Sequence, residues 1–263
     1  MMSDWLRQLN KRLFTLYAII AFFILWEVAA QQQWIDTQFI PAFSTVMAKG
    51  WELLISGQLL IHIATSLQRI FLGFLLAVGI ALPLGFALGG CLPAVTKFLM
   101  PLFNTFAQIN AFTLFPLFII LFGIGEGCKI SIIFWAAIWP ILFTTIAGVQ
   151  QIDPLLIKAA SAMGAKGPRI FFQVVLPGAA TRLATGIKSG MTMAFMILIG
   201  AELMGSEAGL GWLIQNSKKN YEMPRMYVAI ITIAIVGLLI SYLLDWLEDS
   251  IITWKEVSND VTL

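Results

Sequence analysis

The chain is a succession of long apolar stretches separated by short polar ones. A stretch of roughly 20 apolar residues is long enough for a helix to cross the hydrocarbon layer of a membrane. Stretches that approach or exceed this length cover residues 70–89, 98–125, 130–152, 183–203 and 226–244, and a less apolar one covers residues 13–30. The pattern therefore predicts an all-α membrane protein with six transmembrane helices.

Two longer segments outside these spans differ in character. In the segment 31–60, which Pro41 breaks, apolar residues recur at helical spacing, namely Phe43, Val46, Met47, Trp51 and Leu54. This periodicity predicts a helix along the membrane surface with Lys49 and Glu52 turned to water, and an irregular loop is the alternative. The glycine-rich, charged segment 205–225 is predicted to be a loop.

A polar stretch in the middle of the chain, residues 153–178, lies between two apolar spans. Asp153 can cap a helix, Pro154 fits its first position, and Gly164 can end it in a left-handed conformation. Gly167-Pro168 opens a second short helix, and Leu176-Pro177-Gly178 closes it. The stretch therefore predicts a short helix–turn–helix.

The first of these short helices has a small apolar face. Leu155, Ala159 and Met163 fall at i, i+4 and i+8, and Lys158 lies to one side of this row. Such a helix, held outside the bilayer, is a candidate docking element for a soluble partner. The alternative is an ordinary amphipathic loop between two spans.

Composition and charge agree with a membrane protein. The chain is 59% hydrophobic and 11% charged, with a mean hydropathy of +0.89, whereas soluble domains carry about a quarter charged residues. The basic residues are scattered, so we expect no nucleic-acid partner. Most of the 16 Lys and Arg residues, including Arg7, Lys11 and Arg12, fall on one predicted side, which places both termini and the stretch 153–178 in the cytoplasm.

The chain has few residues that could form a disulfide, a metal site or a nucleotide-binding site. Cys91 and Cys128 fall at the ends of different predicted spans, on opposite sides, so no disulfide is expected. The single histidine, His62, is too few for a His-based metal site, and we interpret it as an interfacial residue. No G-x-x-x-x-G-K-[ST] sequence occurs, so the chain brings no phosphate-binding loop and we expect no cofactor of its own.

The central stretch resembles a known motif. Ala159-Ala160, then Gly164, then nine residues and Val174-x-Leu176-Pro177 resemble the cytoplasmic coupling loop of ABC importer permeases, Glu-Ala-Ala-x3-Gly-x9-Ile-x-Leu-Pro. Lys158 stands where the motif has Glu, and Val174 where it has Ile. In that family the loop seats on an ATPase subunit. The resemblance implies that the following residues contact the ATPase: Lys158, Ala159, Ala160, Gly164, Leu176 and Pro177.

Further stretches narrow the resemblance to the nitrate, sulfonate and taurine group of permeases, over about residues 40–250. They are residues 64–73, residues 116–126, Asp153-Pro154, and Ala201-Glu202 followed by Gly209-Leu-Gly211. The resemblance implies one permease domain over residues 1–263 in the bacterial inner membrane, with a core at about 60–250 made of five helices plus one N-terminal helix. It also implies a homodimer, two ATPase subunits that bind ATP, and an external substrate-binding protein.

The resemblance leaves the transported solute open. It implies a small anionic or polar solute, but an Arg- and Pro-rich run of the family is replaced here by residues 107–111, Ala-Gln-Ile-Asn-Ala. Arg69, at the outer edge of the second predicted span, is interpreted as snorkelling to the interface. A second interpretation is that Arg69 attracts an anion.

Four polar side chains interrupt the third predicted span, namely Asn104, Gln108, Asn110 and Thr113. Because polar groups are costly in lipid, they should face protein or a water-filled path. In one continuous helix, Asn104 and Gln108 share one face and Asn110 and Thr113 another. We favour Asn110 and Thr113 as lining the path, because Pro116 is expected to loosen the backbone one turn beyond Thr113. The alternative is that both pairs form packing hydrogen bonds.

The sequence also allows a function of another class, a stand-alone secondary carrier or an intramembrane enzyme. An intramembrane hydrolase needs a nucleophile and a base at membrane depth, and a proton-coupled carrier needs buried acidic residues. The apolar runs contain no His or Asp, and Glu27 and Glu202 lie near span ends. The motif in residues 153–178 therefore favours a transport subunit powered by a separate ATPase.

Overall fold

The computed structural model describes residue 17 and residues 20–252, apart from the side chain of Ile251. Among these residues the regular secondary structure is helical. The helices are α1 Ile20–Gln31, α2 Phe43–Ile55, α3 Gln58–Phe86, α4 Pro93–Ala107, α5 Phe115–Phe122, α6 Glu126–Gln150, α7 Pro154–Ala162, α8 Pro168–Ile170, α9 Leu176–Leu203, α10 Leu210–Lys219 and α11 Met223–Ile251. Short π-helical turns cover Ala87–Cys91 and Phe171–Val175, and a 3-10 turn covers Ala111–Leu114.

Within the described residues, four helical segments are long and apolar enough to cross a membrane: Gln58–Cys91, Glu126–Gln150, Pro168–Leu203 and Met223–Ser250. The pair α4 and α5 adds a fifth span if the two bent halves are counted together, and α1 is a shorter apolar helix. The all-α membrane fold is thus confirmed. The total of six spans stays a prediction, because about a third of the first predicted span and the basic N-terminal residues lie outside the described part of the chain.

The centre of the bundle is α6, which packs most extensively against α9 on one side and α3 on the other. Glycines permit this close approach: a Cβ at Gly85 would lie 2.6 Å from the side chain of Thr145, and one at Gly190 would lie 2.7 Å from that of Ile141. In lipid, such van der Waals contact between helices replaces the hydrophobic driving force that operates in water. Gly89 makes the same close approach one turn further along, since a Cβ there would lie 2.8 Å from the side chain of Val149.

The helix predicted in the segment 31–60 is present as α2, and its position along the membrane surface stays a prediction. Val46 and Leu53 are buried in a cluster with residues of α10 and α11, whereas Trp51 stays 65% exposed. Lys49 Nζ lies 2.8 Å from Glu52 Oε1 on the outer side of the helix. The segment 205–225 is not the loop that its composition predicts, because its buried residues Leu210 and Leu213 form one face of α10.

The third predicted span is not one helix. It bends by 83° between α4 and the pair formed by the 3-10 turn and α5. The break lies at residues 108–110, one to two turns before Pro116, which occupies the first turn of α5. Proline is accommodated there because the first amide groups of a helix have no partner within it.

The second short helix of the stretch 153–178 does not close at Leu176-Pro177-Gly178. It continues into α9 as one segment, Pro168–Leu203. Pro177 cannot donate the usual backbone hydrogen bond, and the π-helical turn Phe171–Val175 just before it widens the helix at that point. The proline therefore marks a local irregularity and not a helix end.

Candidate functional site

Two polar regions lie at opposite ends of α6 and α9. The segment 153–178 connects the end of α6 to the start of α9, and it is called the connecting loop below. A group of charged side chains around Arg69 lies near the start of α6 and the end of α9, and it is called the Arg69 network. The first was predicted from sequence and the second was not.

Both ends of α7 in the connecting loop are fixed by hydrogen bonds. The Asp153 carboxylate accepts from the backbone N–H of Leu155 at 2.8 Å, and Pro154 is the first helical residue, as predicted. At the other end Gly164 has φ of +86°, which confirms the predicted left-handed cap. The N–H of Ala165 donates to the carbonyl of Ala160 at 3.0 Å, the bond that defines a Schellman motif. Hydrogen bonds therefore satisfy backbone groups at both ends of α7 despite its short length.

The predicted apolar face of α7 points away from the rest of the chain. Leu155 is 68% exposed and Met163 82% exposed, and Ala159 between them is exposed as well. Because α7 is not one of the membrane-spanning helices, lipid tails do not account for these exposed apolar side chains, and such a group indicates a binding surface. This apolar face therefore lies outside the spans and is not covered by other residues of the same chain.

The other predicted coupling residues have different surroundings. Lys158 and Gly164 are exposed, and Leu176 and Pro177 are half-buried. Ala160 is only 7% exposed, because it faces the chain itself. In this single chain, Ala159 rather than Ala160 is accessible to a partner.

The break in the third predicted span changes the geometry of the predicted path residues. Asn104, Gln108, Asn110 and Thr113 are all exposed in the single chain, but they do not lie on one straight helix, so the expected division into two helical faces is wrong. The carboxamide oxygen of Asn110 accepts from the N–H of Phe112 at 2.9 Å, which caps the 3-10 turn. The backbone opens at residues 108–110 and not at Pro116.

Arg69 is the centre of the network at the other end. Its Nε and Nη2 donate to the two carboxylate oxygens of Glu126 at 2.6 and 2.7 Å. Its Nη1 donates to Glu202 at 2.8 Å and to the carbonyl oxygen of Ala208 at 2.6 Å. Arg69 is 3% exposed, so both interpretations made from sequence, snorkelling and attraction of an external anion, are wrong. The guanidinium instead joins α3, α6, α9 and the segment before α10.

Glu202 is the hydrogen-bond acceptor at the centre of the buried side of the network. It is 1% exposed, and its carboxylate accepts from Ser66 Oγ at 2.8 Å and from the N–H of Gly211 at 2.9 Å. Gly211 and Gly209 allow this approach, because a Cβ at either would lie within 2.8 Å of the Glu202 side chain. The first turn of α10 thus surrounds a buried carboxylate, where a helix N-terminus favours negative charge.

Two further residues complete the network. His62 is 8% exposed and its Nδ1 accepts from the N–H of Gly209 at 3.2 Å, so it is a buried acceptor and not the interfacial residue expected from sequence. Lys129, 5% exposed, lies 3.1 Å from Glu126, whose own side chain remains 57% exposed. A cavity of about 360 Å³ opens beside Arg69, Glu126 and Lys129. The network thus has a buried arm, the Glu202 side, and a solvent-reaching arm, the Glu126 side.

Comparisons with known proteins agree with the resemblance. Residues 81–253 match the family described as binding-protein-dependent transport system inner membrane component. A protein of Brucella abortus (strain 2308) named as an ABC transporter permease is 33% identical over 217 residues, which cover 82% of this chain and 86% of that protein. The taurine transport system permease protein TauC of Escherichia coli (strain K12) is 30% identical over 253 residues, which cover 94% of this chain and 90% of TauC.

The fold is also that of a solved transporter. A chain of the MetNI methionine ABC transporter, in an inward-facing conformation, superposes with a TM-score of 0.62 at 21% identity, covering 74% of this chain and 95% of that one. Relatives named for aliphatic sulfonate and nitrate import match as well. A stand-alone carrier or an intramembrane enzyme is therefore not favoured, and the chain is a transport subunit. It belongs to the inner-membrane permeases of binding-protein-dependent ABC importers.

Proposed function

We propose that this permease pairs with a second copy of itself and that the two copies enclose the translocation path. Each copy docks one ATPase subunit through the connecting loop, so that ATP is bound and hydrolysed outside this chain. Family membership implies ATPase and substrate-binding partners. The homodimer and the two ATPase copies are the further step of this proposal.

The observation that carries the proposal is the outward apolar face of α7. Leu155, Ala159 and Met163 are exposed, the helix is capped at both ends, and the face projects from the bundle between α6 and α9. These two helices form the largest helix contact in the chain, so a displacement of α7 would act directly on the centre of the bundle. Such a connection between an exterior contact and the spans is what coupling to ATP hydrolysis requires.

The orientation follows from charge. Lys158, Lys166 and Arg169 lie in the connecting loop, and basic residues are enriched on the cytoplasmic side of bacterial membrane proteins. We therefore place the connecting loop and both termini in the cytoplasm and the Arg69 network on the outer side. The external binding protein would then release its solute near α10.

The solute that we propose is small and anionic or polar. Relatives of the chain are named for taurine, aliphatic sulfonates and nitrate. Along the path we place the exposed polar residues around the break, with Asn110 and Thr113 as the favoured pair and Asn104 and Gln108 as the other. Uptake of taurine, a short alkanesulfonate and nitrate by the reconstituted importer would identify the class.

A single charge on α7 tests the coupling surface. In Ala159→Asp, a carboxylate would be buried without a partner in the contact with the ATPase, so we expect co-purified ATPase and ATP-driven uptake to fall about tenfold or more. Ser161→Asp is the matched control, since Ser161 is exposed on the far side of the same helix. Equal losses in both variants, or no loss in Ala159→Asp, would contradict the proposed docking surface.

A further inference from the structure

The least apolar of the four long spans is the one that contains α9. Its mean hydropathy is 1.4, against 2.0 to 2.5 for the other three. Lys188 and the buried Gly186 and Gly190 lower this value, and so do hydroxyl side chains on the exposed face. That face carries Thr181, Thr185 and Thr192, with Ser189 half-buried among them, and the exposed side chains of Met193 and Met196 lie beyond them toward the outer end. At about 100° per residue the four hydroxyl positions fall within roughly 80° of one another, so they form one row along the helix, called the hydroxyl row below.

The exposed face of α3 provides a comparison within the same chain. Between residues 71 and 84 its exposed positions are all apolar, namely Phe71, Leu72, Leu75, Leu76, Gly79, Ile80, Pro83 and Leu84. This is the composition of a helix face in contact with lipid tails. The exposed face of α9 therefore has a different neighbour from that of α3.

The surroundings of α9 show where its hydroxyl row points. On one side, a Cβ at Gly200 would lie 2.0 Å from the ring of Phe112, so the broken segment packs against the outer half of α9. On the other side, Thr192 borders a cavity of about 160 Å³ with Gly237 and Ser241 of α11. The hydroxyl row lies between these two neighbours and opposite the face that packs on α6.

The inner half of α9 carries positive charge. Its ionisable side chains there are Arg182 and Lys188, and Lys188 pairs with Asp245 of α11, whereas Glu202 at the outer end of α9 belongs to the Arg69 network. Arg182 is exposed and lies one residue from Thr181, at the end of the hydroxyl row nearest the connecting loop. A surface of hydroxyl groups ending in a guanidinium attracts anions or neutral polar solutes and repels cations.

We propose that the hydroxyl row of α9 lines the translocation path and that Thr185 and Thr192 hydrogen-bond a small anion, or the anionic group of a zwitterion, as it passes. The inference rests on the proposed function, since it assumes that the path runs along this face between two copies. Thr185 Oγ1 now donates to the carbonyl oxygen of Thr181 at 3.0 Å, and Thr192 Oγ1 to that of Lys188 at 2.9 Å. A threonine hydroxyl can rotate from its own backbone to a solute, so it binds reversibly. Arg182 attracts the anion at the inner mouth of the path.

Thiol labelling distinguishes a wet face from a lipid face. Cys91 and Cys128 are first replaced by serine and alanine, and single cysteines are placed at Thr185, Thr192 and, as the control, Leu76. The complete importer in lipid nanodiscs is treated with a negatively charged methanethiosulfonate. The thiolate is the reactive form and exists only in contact with water, so we expect both α9 cysteines to react about tenfold or more faster than Leu76→Cys.

Trapping the nucleotide-bound state with vanadate is expected to change the reaction rates at the two α9 positions and not at Leu76. Rates at Thr185→Cys and Thr192→Cys equal to that of Leu76→Cys would overturn the inference. The proposed function is tested separately, by measuring how much ATPase co-purifies with these variants and whether the parent importer takes up solute. An importer that couples normally but leaves both α9 cysteines unlabelled would therefore contradict the path assignment alone.

Uptake kinetics test the role in recognition. Thr192→Val keeps the shape of the side chain and removes the hydroxyl, so the apparent KM for an anionic solute is expected to rise about fivefold, the effect of one hydrogen bond. Thr192→Ser keeps the hydroxyl and is expected to stay within about twofold of the parent. Equal KM values in both variants would show that the hydroxyl does not contact the solute.

Discussion

The two ends of the bundle differ in which side chains they bury and which they expose. At the outer end in our orientation, Arg69 and Glu202 are almost fully buried, and the structure provides each with several hydrogen-bond partners from the same chain. At the inner end, Leu155 and Met163 are apolar and exposed. The outer end thus buries charged side chains, and the inner end exposes apolar ones.

The difference shows which contacts the chain completes by itself. A buried charge without partners is very costly, so the Arg69 network must form whenever the chain folds. An exposed apolar face costs less and is favourable only once a partner covers it. The buried part of the outer end is therefore complete within one chain, and in our proposal the inner end is one half of an interface. Substitutions at the two ends should differ accordingly: at the outer end they affect folding, and at the inner end they affect assembly.

The largest expected effect comes from removing the centre of the outer network. Arg69→Met leaves Glu202 buried without its ion pair, so the free energy of unfolding is expected to fall by about 3–5 kcal/mol. The measurement is thermal unfolding of the purified permease, together with the yield of folded protein. Glu126→Gln is the control, since it leaves the buried Arg69–Glu202 ion pair in place and its carboxamide oxygen can still accept a hydrogen bond from Arg69. Equal losses in the two variants would show that burial does not distinguish the two arms.

A double substitution tests whether the buried charge is the cause. Replacing both partners, in Arg69→Met with Glu202→Met, removes the charges together and should restore part of the lost stability. A double variant as unstable as the sum of the two single variants would mean that the charges do not interact.

The next effect concerns the close approach of α10 to Glu202. In Gly211→Ala the new Cβ would lie 2.6 Å from the carbonyl oxygen of Ile199, so α10 must shift, at a cost of about 1–3 kcal/mol. Gly50→Ala is the matched control, because its Cβ would lie at an ordinary 3.5 Å from Val228. Unfolding temperatures that are lowered only in Gly211→Ala support the close fit. A normal temperature there would show that α10 is not held tightly.

The sequence could predict the inner end because its signals are local. Asp153, Pro154 and Gly164 each act on the backbone within a few residues, and their positions alone indicate where α7 begins and ends. The spans were predicted for the same reason, since apolar length needs no tertiary information.

The outer network could not be found in this way, because its members are far apart in the chain. Arg69 and Glu202 each lie alone near a span end, where a single charge is ordinary, and Glu126 has only Lys129 near it in sequence. The available signal was that α3, α6 and α9 all carry charge at the same end of the bundle. The break at residues 108–110 was missed for another reason: Pro116 was taken as the irregular point, although a proline in the first turn of a helix causes no distortion.

At the inner end, the left-handed cap of α7 gives an effect on assembly. Gly164→Val forces a branched residue into φ of +86°, which costs about 1 kcal/mol or more of local stability. A Cβ there would meet no atom within 4 Å, so the strain is confined to the backbone. We expect normal membrane insertion with reduced ATP-driven uptake. Gly164→Asn, which tolerates the left-handed conformation, should keep uptake near the parent, and normal coupling in Gly164→Val would refute the role of the cap.

The smallest expected effect is at Lys158, which stands where the motif has Glu. Lys158 is exposed beside the apolar row, so at the edge of a contact its charge would stay partly solvated and contribute little. If the ATPase presents an acidic surface there, Lys158→Glu should weaken co-purification of the ATPase at low salt and have little effect at about 0.5 M salt, where charges are screened over a few ångströms. Lys166→Glu makes the same change of net charge in the same loop, away from α7. A loss confined to Lys158→Glu at low salt would place this lysine at the rim of the ATPase contact. Equal behaviour of the two variants would show that only the net charge of the loop matters, and that the interface depends on the apolar row alone.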